Sequence, residues 1–598
     1  MIDFHFVTSR RKTVLILLAI CGLALLPFLG IADFNTKGEP REAVVAFSIL
    51  EQGNWILPTN NGGEIPYKPP FLHWCIAAVS LLLNGGVVNE YTSRLPSAIA
   101  LIAMTATIFL FFSKKSQNKT ALGTALLMFT AFEIYRAGMN CRVDMMLTAL
   151  TVGAIVSLFR WWEKGMRGFP VIAILLMSAA TLTKGPVGII IPCLTAGIFM
   201  LLRGVPFFKA FIWLSLWGVL SLILPLCWYL AAYQQGGREF LDLVMEENFG
   251  RMTGTMAYES HLNPWYYNIV TLLAGFLPWT ITAVIALFVI PRHAYSEIAG
   301  RLHDISGRLR RWLRETSPRT LLALTAVIVI FIFYCIPASK RSVYLMPLYP
   351  FMAYFIARML MWMSHRRPGS VRGYGDFIAV IGIVLFAAYI YIKCGLVSDS
   401  LFGHGKHAAQ NAAMLHSLRD FGGIGSWIWA AVAPVCSIIW WCKVRNKVRH
   451  ESLPVSTALL VVSLYISISG CYQPAVLQAK SVKGMTAEMA LLYPDMKSDT
   501  YEFMSMAEEA KGNPMHFFEI NFYLGDRIRN FRKSSPDKGY LLIGEKDAEE
   551  YLPEFQSEGY EFDKVYTPAA GLPRHTPLLY RFIRKKAKEK VLPVRTEE

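Results

Sequence analysis

The chain has 598 residues, of which 54% are hydrophobic and only 17% charged, whereas a soluble domain carries about 25% charged residues. That balance excludes an ordinary soluble enzyme, a disordered chain, a collagen and a disulfide-stapled secreted fold. The net charge of +17 fits basic residues gathered at the cytoplasmic ends of membrane spans. No basic, aromatic-interleaved segment outside the apolar runs points to nucleic acid. The ten cysteines are scattered, with no CxxC and no His/Cys cluster that would hold a metal.

The first apolar run, Thr13 to Ala32, follows Arg10-Arg11-Lys12 and lacks a small-residue cleavage site. It is expected to be an uncleaved first span with a cytoplasmic N-terminus. The next stretch, Asp33 to Pro70, carries five acids against three bases and reads as an outside loop. Phe71–Asn84 is apolar but short and ends in Gly85-Gly86, which suits an interfacial helix better than a span. Further apolar runs cover 95–113, 121–134, 143–162, 171–183, 186–202, 211–229 and 265–290, then 321–336, 343–361, 378–392, 424–441 and 455–472. With the first run they make thirteen expected spans.

The charge bias supports that alternation. Expected inside loops hold Lys114-Lys115, seven arginines from Arg292 to Arg319, Arg366-Arg367 and a cluster from Lys443 to Arg449. The expected outside loop from Leu230 to Pro264 has two bases and five acids. From residue 473 the composition becomes that of a soluble domain. Helices are expected at 486–492, 522–531 and 548–558, and strands at 501–506, 539–544 and 578–583. The fold class is therefore an all-α polytopic membrane protein with a small C-terminal α/β domain. The membrane domain spans 1–472, with the outside loop and its interfacial helices at 33–94, and the soluble domain spans 473–598.

Polar residues at a membrane edge are costly, so their clustering is informative. They gather on the expected outer face in five segments. The first, KGEPREAVVAFSILEQGNWILPTNNGGEIPYKPPFLHW, brings Glu39, Arg41, Tyr67 and Lys68. RAGMNCRVDMM adds Arg142 and Asp144, and TLTKGPVG adds Lys184 at a helix-breaking Gly-Pro. EENFGRM with SHLNPWYY contributes Glu247, Asn248 and His261, and PASKRSVYLMPLYP contributes Lys340, Arg341 and Tyr344. Cations on short loops suit a phosphate, a nearby carboxylate suits a general base, and aromatic rings suit a sugar or the lipid interface. A sugar linked to a lipid phosphate meets all three demands. Bland roles compete at each position: Arg142 and Asp144 as a structural ion pair, Lys184 as a helix C-cap, His261 as an interfacial residue.

These segments resemble, in order, the motifs of the polytopic lipid-linked-sugar glycosyltransferases of the GT-C fold. That family includes the bacterial aminoarabinose transferases acting on lipid A and the protein O-mannosyltransferases. The resemblance runs from about Asp33 to Pro350. It implies a multi-pass enzyme of the bacterial inner membrane with a periplasmic C-terminal domain. Its donor would be a polyprenyl-phosphate sugar and its acceptor a periplasmic lipid, protein or glycan, with inversion at the sugar. Neither a nucleotide nor a metal is called for. The family often opens the first loop with Asp-Glu, the Asp being the proposed base; here Gly38 stands in the Asp position and Glu39 follows. The base is then Glu39 or Asp144, unless the acceptor is acidic enough to need little help. Where the aminoarabinose transferase has an acid before the lysine, this chain has Tyr67, which argues against a metal there. Arg41, Lys68, Lys184 and Arg341 would hold the leaving phosphate. The competing reading is a transporter or lipid flippase, which would spread ionisable residues through the membrane midplane.

Overall fold

The structure is a computed structural model. It describes residues 9–585 apart from 35, 37, 67, 114–117, 248–262, 290–311, 314, 338, 403–406, 506–514 and 574. The expected inside-loop charges at 114–115 and most of those between 292 and 319 lie outside the described residues.

All thirteen apolar runs are mostly helical where described, with breaks at 29–32, 130–131 and 276–278. The first eight helices are α1 (Arg10–Leu25), α2 (Gly38–Gln52), α3 (Phe71–Asn84), α4 (Glu90–Phe112), α5 (Asn118–Phe129), α6 (Phe132–Gly138), α7 (Val143–Glu163) and α8 (Val171–Lys184). Next come α9 (Val187–Leu202), α10 (Phe207–Met245), α11 (Tyr267–Gly275), α12 (Trp279–Val289), α13 (Pro318–Cys335), α14 (Tyr349–Arg366) and α15 (Pro368–Lys393). The helical bundle closes with α16 (Ala408–Asp420), α17 (Gly423–Ile439) and α18 (Leu453–Ser467). Among the described residues nine helices are long and apolar enough to cross a membrane. A tenth span forms if α11 and α12, bent by 98°, count as one. The other three runs form helices of 12, 14 and 16 residues, short of the roughly 20 residues that a perpendicular span needs. Run counting therefore finds the helices but does not decide which of them cross alone. The last span continues through residue 472 to Gln478, so the change in composition at 473 falls inside a helix rather than at its end.

The expected outside loop is itself helical. In α2, Pro40 sits in the first turn, where it costs no internal hydrogen bond, and the helix stops before Gly53. The expected interfacial helix is α3, closed by Gly85 in the left-handed region.

After the bundle a five-stranded mixed sheet forms from β1 (Thr500–Phe503), β2 (Arg529–Asn530), β3 (Lys538–Ile543), β4 (Tyr560–Tyr566) and β5 (Leu578–Arg584), in the order β2-β1-β3-β5-β4. β1 runs parallel to β2 and β3, whereas β5 is antiparallel to β3 and β4. Leu541 and Ile543 pack on one face with Phe555 and Phe582, while Leu542 faces Met489 and Ile520 on the other. Burial on both faces explains why β3 reads as a continuous apolar run. Two expectations change. The helix expected over 522–531 ends at Leu524, because Gly525 and Asp526 take positive φ angles and the chain then enters β2. β4 was not expected, its YEFDKVY being too polar to stand out beside the apolar runs.

Polar contacts fasten the C-terminal domain to the expected outside loop. Lys483 reaches Asp33 (3.1 Å) and Glu90 (2.8 Å). Tyr523 donates to Glu90 (3.0 Å) and accepts from the Phe34 N–H (3.2 Å). Asp526 accepts from Ser48 and from the Asn61 N–H, both at 2.8 Å. His516 Nε2 reaches Glu64 (2.8 Å) while its Nδ1 bonds Glu502. Burial alone would push the His516 pKa down, but the two carboxylates outweigh it and raise the pKa to about 10. A folded-state pKa raised above the ordinary value of about 6.5 gives stability that is complete below that value and lost as pH rises through the folded one. Docking of the C-terminal domain should accordingly loosen between pH 7 and 10. Hydrogen exchange over residues 515–530 reads this directly, and His516→Gln should flatten the pH dependence while raising exchange at pH 7.

Candidate functional site

α1, α2, α4 and the turn before α7 meet at one buried arginine. Arg94 is 3% exposed, Glu39 1%. Arg94 grips Glu39 with two bonds, 2.8 Å from Nε and 3.1 Å from Nη2. Its remaining N–H groups go to the carbonyls of Leu29 (2.8 Å), Ala32 (2.6 Å) and Asp33 (3.1 Å), so all five guanidinium donors are used. The Cys141 N–H completes Glu39 at 3.0 Å. Glu39, expected as the base, is thus a fully committed junction residue.

The carboxylate one helical turn on meets the cations instead. Glu42 is 2% exposed. Its Oε1 receives Lys68 and Arg41 (3.2 Å), and His73 Nε2 donates to its Oε2 (2.9 Å). Burial would raise the Glu42 pKa, but Lys68, His73 and Arg41 together hold it well below the usual carboxylate range. Lys68 is pushed down to about 7, first by burial and then by the Arg41 and Arg142 charges, with Glu42 opposing. These side chains line a cavity of about 550 Å³ beneath the C-terminal domain.

Three further elements wall that cavity. The Asn60–Pro66 turn brings Glu64, and the C-terminal domain brings His516, Phe518 and Lys533. α10 brings Glu239, Asp242 and Glu246, carried across the cavity because the helix breaks at Gly237, whose φ of 56° a side chain would oppose. The walls hold more carboxylates than the sequence led us to expect: those of Glu64 and α10 face the cations of α2 and the Lys68 turn.

A second ion pair adjoins. Lys184 Nζ lies 2.5 Å from Asp144 Oδ1 and 4.4 Å from the centre of the Tyr344 ring, and Asp144 is within electrostatic reach of Lys68 and Arg142. The structure thus brings Arg41, Lys68, Arg142, Asp144, Lys184 and Tyr344 together. Arg142 lies against Gly38 so closely that any Cβ there would overlap its guanidinium. The glycine in the expected aspartate position makes room for that arginine.

Other expected residues stand apart. Lys340 and Arg341 lead into the 3₁₀ segment Ser342–Leu348, which carries Tyr344. Lys340 is buried, its carbonyl accepting from Asn263 at 3.0 Å, and Arg341 is not in the cavity wall. Glu247 follows Glu246 at the end of α10, and Tyr67, Asn248 and His261 fall outside the described residues. Sequence reading missed Arg94, His73, Glu64, His516 and Lys533. Arg94 carried a signal, a charge just inside an apolar helix; His73 sits five residues after Lys68, and the rest depend on long-range folding.

Comparison with known proteins adds to this geometry. Residues 67–229 match the family model described as dolichyl-phosphate-mannose-protein mannosyltransferase. The undecaprenyl phosphate-alpha-4-amino-4-deoxy-L-arabinose arabinosyl transferase of Shewanella sediminis is 27% identical over 61% of this chain and 64% of its own length. The chain therefore spans just under two thirds of that relative. The protein of the same name from Pseudomonas aeruginosa (strain UCBPP-PA14) is 24% identical over 71% of this chain and 76% of its own. The crystal structure of ArnT from Cupriavidus metallidurans bound to undecaprenyl phosphate superposes with a TM-score of 0.68 at 16% identity, covering 95% of this chain and 97% of that one. The chain has the ArnT fold. The family resemblance drawn from five short motifs extends, as a fold, over nearly the whole length.

The junction and the cavity separate in a stability test. Removing one partner of a buried charge pair costs about 3–5 kcal/mol. Glu39→Gln should lower the melting temperature in detergent and the yield of folded protein more than Glu42→Gln, because Arg94 is sealed from water (4% exposed) whereas Lys68 and Arg41 (13% and 21%) border the cavity and can be rehydrated. Equal losses in the two variants would place both carboxylates in the same structural role.

Proposed function

We propose that this protein is an inverting glycosyltransferase that moves a sugar from a polyprenyl phosphate to an acceptor on the periplasmic side of a bacterial inner membrane. The observation that carries the proposal is the partly buried cluster of Lys68, Arg41, Glu42, Arg142, Asp144 and Lys184 beside the cavity. Cations held in a partly desolvated site are worth more to a departing phosphate than the same charges in water. The names of the relatives, arabinosyl transferases using an undecaprenyl phosphate donor, support the same class of donor.

In this reading the acceptor oxygen attacks the anomeric carbon and the bond to the phosphate oxygen breaks. Lys68 and Arg41 take up the charge left on the phosphate. Asp144 fixes Lys184, and Arg142 supplies positive charge where the resemblance would place an aspartate. The N-terminus is cytoplasmic, the cavity opens on the outer face, and the chain beyond Gln478 forms the periplasmic domain.

Purified protein incubated with undecaprenyl-phosphate sugars should release undecaprenyl phosphate, and mass spectrometry of lipids, proteins and glycans from a deletion strain should reveal the acceptor. No release with any donor would reject the proposal. Lys68→Ala should cost about 2–4 kcal/mol in turnover or donor binding, the scale for losing a positioned charge at a reacting phosphate. Orientation is tested separately: a reporter fused after Arg449 should be cytoplasmic and one fused at Glu598 periplasmic.

A further inference from the structure

Glu42 uses its two oxygens differently. Oε1 receives both cations, Lys68 and Arg41, while Oε2 is held by His73 at 2.9 Å. On the functional reading above, those two cations are also the ones that a donor phosphate must reach. A carboxylate oxygen and a phosphate oxygen compete for the same donors, and the phosphate brings more charge and more acceptor atoms to them.

We infer that Glu42 is a placeholder for the donor phosphate: its Oε1 occupies Lys68 and Arg41 until a phosphate displaces it, and the displaced carboxylate is the base of the transfer. This inference rests on the proposed glycosyl transfer. Displacement concerns one oxygen only, since the His73 bond to Oε2 keeps the carboxylate in the cavity wall; His73 is a positioning residue. While two cations share Oε1, Glu42 is a weak base, as its lowered pKa reflects. Once they turn to the phosphate, that suppression is lifted and Glu42 can accept a proton. The acceptor oxygen then forms its bond to the anomeric carbon as the carbon–oxygen bond to phosphate breaks. The electron pair leaves with the polyprenyl phosphate on Lys68 and Arg41, and the hydroxyl proton passes to Glu42. Because the base is released only by the phosphate, water in the cavity finds no active base before the donor is seated.

Glu42 suits this role because its own bonds are the ones that hold Lys68 and Arg41. Glu39 is saturated by Arg94 and the Cys141 N–H, and Asp144 is held by Lys184 on a separate element. The Glu64 carboxylate is engaged with His516 and Lys533.

The test separates affinity from turnover. Binding of undecaprenyl phosphate to the full-length protein in nanodiscs is compared among wild type, Glu42→Gln, Lys68→Gln and Asp242→Asn, the last removing a carboxylate from another wall of the same cavity. Glu42→Gln should bind undecaprenyl phosphate at least tenfold more tightly while losing at least about a hundredfold in sugar transfer. Lys68→Gln should lose binding, and Asp242→Asn should change affinity less than threefold. Weaker or unchanged binding in Glu42→Gln would overturn the placeholder role, as would equal tightening in Asp242→Asn, which would reflect only the cavity's general field. Tighter binding with turnover retained would overturn the base role. If the wild type prefers undecaprenyl phosphate no more than undecaprenol, the functional reading itself fails, a result distinct from all of these.

Discussion

The site depends on a guanidinium taken out of water. Arg94 lies near the start of a span, where an unpaired charge would be prohibitive, and it is tolerated because all five of its donors find oxygens. Those oxygens come from the end of the first span, from the loop behind it and from the first turn of α2. The Cys141 N–H adds the turn before α7 through Glu39. One side chain thereby sets the direction in which α2 leaves the membrane edge. The next turn of α2 carries Arg41 and Glu42 into the cavity, so a residue that touches no part of the cavity's cationic cluster decides where that cluster points.

Much of this was legible in the sequence because lipid imposes a strong pattern. Every long apolar run became mostly helix, and the short helix Phe71–Asn84 has the expected ends. β3 was recognisable from GYLLIG, since a strand buried on both faces has nothing polar to interrupt it. The order of the polar clusters was legible too, and Lys68, Arg142, Asp144 and Lys184 converge as expected. What was not legible was which face of α2 each carboxylate occupies. Glu39 and Glu42 lie three residues apart on the same helix, and the choice between them is made by Arg94, more than fifty residues away, and by Lys68 on the far side of a turn. Starting the span at Leu95 left that arginine in the expected outside loop. The break at Asp526 was hidden for another reason: its positive φ is secured by bonds to Ser48 and Asn61, contacts from another part of the chain.

The C-terminal domain looks in composition like an appendage, and in the structure it is a wall. Its contacts with the bundle join aromatic packing, Phe522 and Tyr523 against Phe34, to hydrogen bonds and ion pairs spread over Asp33, Phe34, Ser48, Asn61, Glu64 and Glu90. The polar bonds hold orientation closely because each is directional. They place His516 and Lys533 in the same cavity as Lys68 although more than 440 residues separate them in sequence.

Gly38 and Arg142 share one parcel of space. The guanidinium fills the volume that any side chain at position 38 would claim, so the two positions are complementary in size. In the motif that the first loop resembles, an aspartate stands at that position and brings a negative charge to the spot. Here that volume holds the guanidinium of Arg142 and no carboxylate. Filling position 38 with any side chain would displace the arginine, so the size of one residue fixes where the positive charge at the start of α2 lies.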